Sequence, residues 1–449
     1  MRKLFGTDGI RGKANVYPIT AELALLVGKA TAQVFGASGG GRCRAVIGKD
    51  TRLSGYMLES ALTGGLLSMG MDVLAAGPLP TPAIAHLTSS MGAACGIMIT
   101  ASHNPAADNG IKIFGADGFK LPDEVELEIE KLILSGSISS EHIGGAGIGK
   151  AYRIDDARGR YIEFAKSSIK NISLKGLKIV LDCANGAAYS IAPLIFRELG
   201  AEVIEVGVHP DGTNINLDCG ALYAANIGKL VREHGAHAGI ALDGDADRVI
   251  FCDENGEEVN GDRIIGMIAL EYKRLNRLSN QAVVVTSMSN LGLHRAMKTN
   301  GIKVEITDVG DRYVIERMRE GDFNIGGEQS GHIIFMDYAT TGDGIISALH
   351  VLKLMTTSGK KLSDLAGFMT VFPQKITSLP VSRKLPLSEL PLLSSVIREC
   401  ENDLGESGRT IVRFSGTENK IRILVEAETP SAVERWTKRI TEAAQSELC

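Results

Sequence analysis

Residues 238–248 read AGIALDGDADR, a short apolar run that passes directly into three alternating aspartates. The apolar part has the length of a buried strand, and longer helical patterns flank it. Two other apolar runs end in the same way: residues 95–99 lead into TASHNP at 100–105, and residues 323–325 lead into GGEQSGH at 326–332. Each predicted strand therefore delivers a polar loop at its carboxyl end.

The three runs each close a set of three predicted strands. Within a set, Val- and Ile-rich runs alternate with longer helical patterns, which is typical of βαβ units. Chance recurrence of this spacing is the alternative, and the polar content of the three loops argues against it. The predicted strands are 44–48, 71–74 and 95–99; 178–181, 202–206 and 238–242; and 282–286, 304–307 and 323–325.

The sequence thus predicts three similar α/β domains with mixed sheets around a shared cleft, because ligands of open α/β sheets bind beyond the carboxyl ends of the strands. After residue 365 the order of predicted elements changes, with strands at 374–377 and 422–426 and a final helix from residue 430. This order predicts a smaller α+β domain. The predicted domains are 1–154, 155–258, 259–370 and 371–449.

Composition narrows the class of protein. The chain has 449 residues, 44% of them hydrophobic, and a net charge of -5, which indicates a globular protein and argues against nucleic-acid or membrane-surface binding. The first residues contain no apolar signal segment, and no apolar run reaches membrane-spanning length. Seven cysteines without a Cys-x-x-Cys pair favour a reducing compartment. We therefore expect a cytoplasmic protein.

The aspartate loop predicts a metal site. Asp243, Asp245 and Asp247 crowd three mutually repelling carboxylates, and a hard cation such as Mg²⁺ relieves the repulsion with the oxygen ligands that it prefers. An EF-hand is the main rival, since Glu254 stands at the twelfth loop position. However, the sixth position is Arg248 instead of glycine, and the flanks are strand-like. A solvated acidic turn is the other alternative.

The stretch RFSGTE at 413–418, followed by Arg422, suits an anion. Two guanidiniums can neutralise a phosphate while hydroxyls and backbone amides surround it. The chain has no P-loop motif, so any phosphate must be held by a site of this other kind. Ser-Gly-Thr is also common in ordinary turns, and both interpretations stay open on the residues alone.

Ser102 and Lys112 form a candidate catalytic pair. Ser102 follows the strand at 95–99, and Lys112 stands ten residues later. A Ser-Lys pairing can supply a nucleophile together with its proton acceptor. His103 and His332 can serve in proton transfer, although a lone histidine is as often structural.

Together these loops resemble the α-D-phosphohexomutase superfamily, from the first residues to the last domain. The serine loop of that family corresponds to 100–105, its metal loop to 243–248, its sugar-recognition loop to 327–332 and its phosphate loop to 413–422, in the same order. The opening FGTDGIRG at 5–12 is similar to that of the bacterial phosphoglucosamine mutase branch.

The resemblance implies an isomerase that interconverts glucosamine 6-phosphate and glucosamine 1-phosphate, for amino-sugar nucleotide synthesis serving the cell envelope. It implies a phosphorylated Ser102, a bisphosphate intermediate, and one Mg²⁺ per active site, held by Ser102 and the three aspartates. Lys112 is implied as the general base. The other implied catalytic residues are Arg11, Arg248, His103 and His332. The implied substrate-binding residues are Glu328, Ser330, Arg413, Ser415, Gly416, Thr417 and Arg422.

Other functions stay open. A phosphomannomutase/phosphoglucomutase would use neutral hexose phosphates, and a noncatalytic sugar-phosphate-binding regulator could share the scaffold. A metal-dependent glycosyltransferase also uses an Asp-x-Asp loop, but the Ser102 and Arg413 loops argue against it. The expected partners are small hexosamine phosphates, with neither nucleic acid nor membrane. A homodimer stays open, as does the first loading of Ser102 by an activating kinase or by autophosphorylation.

Overall fold

The computed structural model describes residues 3–36, 43–139, 143–414 and 419–448. The chain forms two compact units, Met1–Met288 with Asn300–Phe368 and Ser289–Thr299 with Met369–Cys449. Within the described ranges, the larger unit contains three β-sheets and the smaller unit one. None of the helices in those ranges is long and apolar enough to cross a membrane.

The first sheet carries the Ser102 loop. Its elements in chain order are β1 (Ile10–Lys13), α1 (Ala21–Gly36), β2 (Arg44–Lys49), α2 (Leu53–Ser68), β3 (Asp72–Pro78), α3 (Thr81–Ser90), β4 (Cys95–Ile99), β5 (Asp108–Gly115), α4 (Asp123–Ser135) and β6 (Ala151–Arg153). The strands lie in the order β1-β5-β4-β2-β3-β6. Because β4 pairs in parallel with β2 and antiparallel with β5, the sheet is mixed.

The second sheet carries the aspartate loop. Its elements are α5 (Ala157–Ser167), β7 (Lys178–Asp182), α6 (Ala192–Glu198), β8 (Glu202–Val206), α7 (Ala224–His234), β9 (Ala238–Leu242), β10 (Val249–Cys252) and β11 (Glu258–Val259). The strands lie in the order β11-β10-β9-β7-β8. β9 is parallel to β7 and antiparallel to β10, so residues 243–248 connect two neighbouring strands.

The third sheet carries the GEQSGH loop. The elements of this part of the chain are α8 (Gly261–Arg274), β12 (Ala282–Thr286), α9 (Leu291–Thr299), β13 (Lys303–Thr307), α10 (Asp311–Glu320), β14 (Ile325–Gly327), β15 (Ile333–Phe335), α11 (Gly344–Ser358) and α12 (Leu362–Ala366). The strands lie in the order β13-β12-β14-β15. β14 is parallel to β12 and antiparallel to β15.

The strand predicted at 323–325 is displaced towards the carboxyl end. Residues 321 and 322 form a turn, with Asp322 at a φ of 51°, and β14 begins only at Ile325. The Asn324 side chain donates through Nδ2 to the Arg277 carbonyl at 2.9 Å instead of continuing an apolar strand face. A turn and a side-chain bond to the backbone thus shift the start of the strand by two residues.

One arrangement recurs in the three sheets. In each, a strand with a parallel neighbour passes through a polar loop into an antiparallel return strand: β4 into β5, β9 into β10 and β14 into β15. β4, β9 and β14 are buried along their whole length, as expected where helices cover both faces of a sheet. The predicted fold class, three similar α/β domains with mixed sheets and a smaller domain after them, is confirmed.

The smaller unit is built on an antiparallel sheet. Its elements besides α9 are β16 (Gln374–Pro380), α13 (Pro391–Leu404), β17 (Gly408–Phe414), β18 (Lys420–Ala427) and α14 (Pro430–Leu448). The strands lie in the order β16-β18-β17. α9 joins this unit through Leu291, whose N–H donates to the buried Glu426 carboxylate at 2.6 Å. The core of the unit includes Trp436 and Ile440 of α14.

Candidate active site

Ser102 lies against the aspartate loop of the second sheet. Its hydroxyl donates to Asp243 Oδ2 at 2.7 Å, and its side chain is fully buried. A Cβ added to Gly244 would lie 2.6 Å from the Ser102 carbonyl oxygen, so glycine is what permits this approach. The loops of the first two sheets therefore meet, as the shared-cleft hypothesis requires.

Two side chains that the sequence analysis missed hold the Ser102 loop. Arg52 is fully buried and donates through Nη2 to the carbonyls of Ser102, at 3.0 Å, and Asn104, at 2.8 Å. Its Nε donates to Asp50 at 2.8 Å. Asn216 Nδ2, from the second domain, donates to the same two carbonyls at 2.9 and 3.0 Å. These bonds support Ser102 at a φ of 53°, a left-handed conformation that is rare for serine.

The three aspartates have the arrangement of a cation site. They are buried, and one oxygen from each lies within 4.8 Å of the others. Among the described residues, none donates a hydrogen bond to the buried Oδ1 atoms of Asp245 and Asp247, although Arg248 Nε lies 3.9 Å from Asp247 Oδ1. Buried carboxylate oxygens without partners are costly, and a hard divalent cation satisfies them. The donor set thus fits such an ion.

The charges of the loop point the same way. Burial, followed by the charges of Asp247 and Asp245, raises the pKa of Asp243 well above the usual carboxyl range. Burial would also raise the pKa of Asp247, but Lys112 and His332 together hold it well below its ordinary value. Three ionised carboxylates in this loop are therefore unfavourable unless a further cation binds there.

Lys112 lies on β5, and its ammonium faces these carboxylates. The side chain is 2% exposed, and Nζ lies 3.0 Å from Asp245, 3.2 Å from Asp247 and 3.3 Å from Asp8. Burial alone would lower the pKa of Lys112, but the three surrounding carboxylates raise it well above its ordinary value. Lys112 can accept a proton only when that negative charge is offset, which a cation on the aspartates would do.

His103 and Arg248 flank the Ser102 hydroxyl. His103 Nδ1 lies 3.3 Å from Ser102 Oγ and 3.1 Å from Arg248 Nη1. Burial, helped by the charges of Arg248 and Arg11, lowers the pKa of His103 to about 4. The imidazole is therefore neutral near pH 7, and its Nδ1 accepts from the guanidinium. Arg11 pairs with Asp8 beside Lys112.

The third sheet contributes His332 and Glu328. His332 is 2% exposed, with Nδ1 3.7 Å from Asp247 and Nε2 3.6 Å from Asp311. The N–H of Gly342 donates to Nε2 at 3.1 Å, which places the ring proton on Nδ1, towards Asp247. Glu328 accepts from the Gly310 N–H at 3.2 Å. Ser330 is exposed in the same loop.

The predicted substrate-binding residues of the last domain lie in the smaller unit. Arg413 on β17 and Arg422 on β18 are directly paired across the antiparallel ladder. The other three residues predicted there, Ser415, Gly416 and Thr417, lie outside the described residues. In the larger unit, the structure brings together Ser102, Lys112, His103, Arg11, Arg248, His332 and the three aspartates.

Three further charged residues that were not predicted from the sequence lie beside the site: Asp8, Lys120 and Asp311. Lys120 Nζ bridges the two carboxylates. A signal for Asp8 was present, since it stands in the quoted FGTDGIRG stretch. Arg52 likewise follows the strand at 44–48 in the polar run KDTR.

Comparison with known proteins finds similarity along most of the chain. Four family profiles match the chain: the phosphoglucomutase/phosphomannomutase alpha/beta/alpha domains I, II and III at residues 2–138, 159–256 and 260–372, and the C-terminal domain at 376–443. The curated phosphoglucosamine mutase of Geotalea daltonii is 54% identical over 449 residues, covering 100% of this chain and 99% of its own. That of Myxococcus xanthus is 53% identical over 448 residues, covering 100% and 98%.

Solved structures share the fold. A phosphoglucomutase/phosphomannomutase family protein from Burkholderia thailandensis aligns with a TM-score of 0.81 at 24% identity, covering 99% of this chain and 98% of its own. The Aspergillus fumigatus N-acetylphosphoglucosamine mutase, in complex with GlcNAc-6P and magnesium, aligns with a TM-score of 0.68 at 19% identity, covering 99% and 96%.

Replacing Arg52 with lysine should loosen the Ser102 loop. Lysine keeps the charge but cannot reproduce the fork that reaches several carbonyls, so we expect unfolding to cost at least about 2 kcal/mol less. Peptides covering residues 100–108 should exchange amide hydrogens at least about tenfold faster by mass spectrometry. Arg44→Lys is the matched control, because Arg44 is exposed and reaches a single carbonyl, that of Met91. Equal exchange in the two variants would contradict the supporting role of Arg52.

Proposed function

This chain belongs to the phosphoglucosamine mutases of the α-D-phosphohexomutase superfamily, and on that premise we propose that it interconverts glucosamine 6-phosphate and glucosamine 1-phosphate through a phosphorylated Ser102. The proposal rests chiefly on the hydrogen bond of 2.7 Å from Ser102 Oγ to Asp243. This bond places a nucleophile beside a buried candidate cation site. Relatives 52–54% identical over the full chain favour the hexosamine phosphates over neutral hexose phosphates. The regulator alternative is not favoured, since Ser102, Lys112 and the aspartates are all present.

In the first half-reaction, a hydroxyl oxygen of the bound monophosphate attacks the phosphorus of phosphorylated Ser102. A phosphorus–oxygen bond to the sugar forms, the bond to Ser102 Oγ breaks, and Oγ keeps its electron pair. The hydroxyl proton passes to Lys112, whose Nζ lies 3.0 Å from Asp245 and 3.2 Å from Asp247. The product is a sugar bisphosphate.

In the second half-reaction, the bisphosphate turns within the cleft, and Ser102 Oγ attacks the other phosphorus. The bond to that sugar oxygen breaks, and Lys112 returns the proton to it. The phosphate has then moved between C6 and C1, and the enzyme regains phosphorylated Ser102. Positioning and charge stabilisation supply most of the catalysis in phosphoryl transfer.

A bound Mg²⁺ would supply positive charge to the transferring phosphoryl group, and Asp243, Asp245, Asp247 and Ser102 are the residues that we propose hold it. Arg248 and Arg11 add fixed positive charge beside Ser102 and Lys112. We assign proton transfer or orientation to His103 and His332, and contacts to sugar hydroxyls to Glu328 and Ser330.

We propose that the Arg413 loop holds the phosphate that does not react. The support lies in the register of the smaller unit, where Arg413 and Arg422 are cross-strand partners. Paired residues project their side chains from the same face of the sheet, so both guanidiniums can serve one anion. Ser415, Gly416 and Thr417 complete the proposed loop by sequence.

We place the enzyme in the cytoplasm. The six cysteines among the described residues are free, which supports a reducing compartment: Cys43, Cys95, Cys183, Cys219, Cys252 and Cys400. The substrates that we propose are soluble small molecules. We also propose a homodimer. For the first phosphorylation of Ser102, we propose either an activating kinase or autophosphorylation.

Phosphate on Ser102 is the first test of the mechanism. Intact-mass and peptide analysis of active enzyme should locate one phosphate on Ser102. Ser102→Ala should lose at least about 10⁴-fold in turnover of glucosamine 6-phosphate, the scale of loss when a covalent nucleophile is removed. The exposed Ser89 provides the control variant Ser89→Ala, which should keep the wild-type rate. Phosphate found only on another residue, or an active Ser102→Ala enzyme, would overturn the assignment.

Asp245→Asn tests the metal site. The change removes one charge and keeps the side-chain size, so we expect Mg²⁺ affinity, measured by titration calorimetry, to fall at least about tenfold. Turnover should fall with it, and chelator treatment of the wild-type enzyme should abolish activity until Mg²⁺ is restored. Asp218→Asn removes the same charge from an exposed position in that domain and should leave both readings unchanged. A chelated enzyme with its full rate would refute the metal requirement.

A further inference from the structure

Two neighbouring residues at the start of α10 contact the first domain in different ways. Arg312 pairs with Asp123 and with Glu126, the latter at 2.9 Å, and donates to the Leu121 carbonyl at 3.3 Å. Asp123 and Glu126 belong to the start of α4, and Leu121 lies two residues before it. Arg312 therefore serves the packing of the third domain on the first.

Asp311 faces the catalytic residues instead. Its Oδ2 lies 3.6 Å from His332 Nε2 and also accepts from Lys120, whose Nζ reaches Asp8 as well. The His332 ring approaches Asp311 through Nε2 and the metal-loop residue Asp247 through Nδ1. Asp311 thus lies at the phosphoryl-transfer end of the cleft, and its side chain is 12% exposed.

The surroundings of Asp311 suit a primary ammonium group. The ammonium group of Lys120 already lies between the carboxylates of Asp8 and Asp311. The size and negative charge of these surroundings therefore suit a group of this kind. Both contacts of Asp311 use Oδ2, and in the described parts of the chain its Oδ1 accepts no hydrogen bond. A carboxylate attracts an ammonium by opposite charge and also accepts a hydrogen bond from it, whereas a neutral hydroxyl on C2 offers only the hydrogen bond.

We propose that Asp311 is a specificity-determining residue that accepts a hydrogen bond from the protonated amine on C2 of the substrate. The inference rests on the proposed function, since it requires a hexosamine phosphate. The amine lies one carbon from C1, so it reaches the transfer end when the oxygen on C1 is the reacting group. When C6 reacts, the amine lies at the other end of the sugar. Asp311 therefore distinguishes an amine from a hydroxyl on C2 when the oxygen on C1 is the reacting group.

The test compares two substrates that differ only at C2. Wild-type enzyme, Asp311→Asn and Arg312→Gln are assayed for kcat/KM with glucosamine 6-phosphate and glucose 6-phosphate. Asp311→Asn keeps the size and removes the charge, so the ratio of the two values should fall about tenfold. Arg312→Gln weakens the same domain contact without facing the site, and the ratio should stay at the wild-type value even where both rates fall.

The outcomes distinguish failure of the Asp311 assignment from failure of the proposed substrate. A wild-type preference for glucosamine 6-phosphate that Asp311→Asn retains would overturn the role of Asp311 alone. A wild-type enzyme without that preference would overturn the proposed substrate and the role of Asp311 with it. Thermal unfolding establishes that each variant is folded, and Asp311→Ser, also neutral and smaller, repeats the comparison if Asp311→Asn does not fold.

Discussion

Three buried aspartates beside a buried serine impose the constraint on which the rest of the site depends. Asp243, Asp245 and Asp247 cannot all carry charge in a desolvated loop without compensation. Lys112 supplies part of it from the first domain, and His332 approaches from the third. Within the described part of the chain, the buried Oδ1 atoms of Asp245 and Asp247 accept no hydrogen bond, and a divalent cation would satisfy them. Electrostatic need therefore explains why elements of three domains converge on one loop.

The same strand–loop–strand arrangement positions the polar loop of each of the three sheets. A fully buried strand ends in a polar loop, and an antiparallel return strand fixes the far end of that loop. Both ends are anchored, so the loop can hold conformations that an unsupported chain would avoid. Ser102 is the clearest case, because Arg52 and Asn216 bond its carbonyl oxygen while its hydroxyl remains directed at Asp243. Rigid positioning of this kind is what phosphoryl transfer requires.

Sequence reasoning succeeded where the information is local. Strand periodicity placed β4 and β9 correctly, and composition marked the loops after them. It missed Arg52, Asn216 and Asp311 because their partners lie 50, 114 and 191 residues away, and no local pattern encodes such pairings. The return strands β5 and β15 were not predicted, and β10 was noted only as a strand-like flank, because the pairing of a return strand depends on the tertiary position of the strand before it. Domain boundaries and the roles of individual site residues stay predictions.

In the proposed mechanism, the phosphoryl group on Ser102 is transferred to the sugar, and Ser102 is then phosphorylated again by the resulting bisphosphate. Enzyme carrying radioactive phosphate on Ser102 can be mixed with unlabelled glucosamine 6-phosphate, and the label followed over a single turnover. We expect the label to leave the protein, to appear first in a sugar bisphosphate and then to appear in the sugar monophosphates. Label that stays on Ser102 while product forms, or that is released as inorganic phosphate, would contradict it.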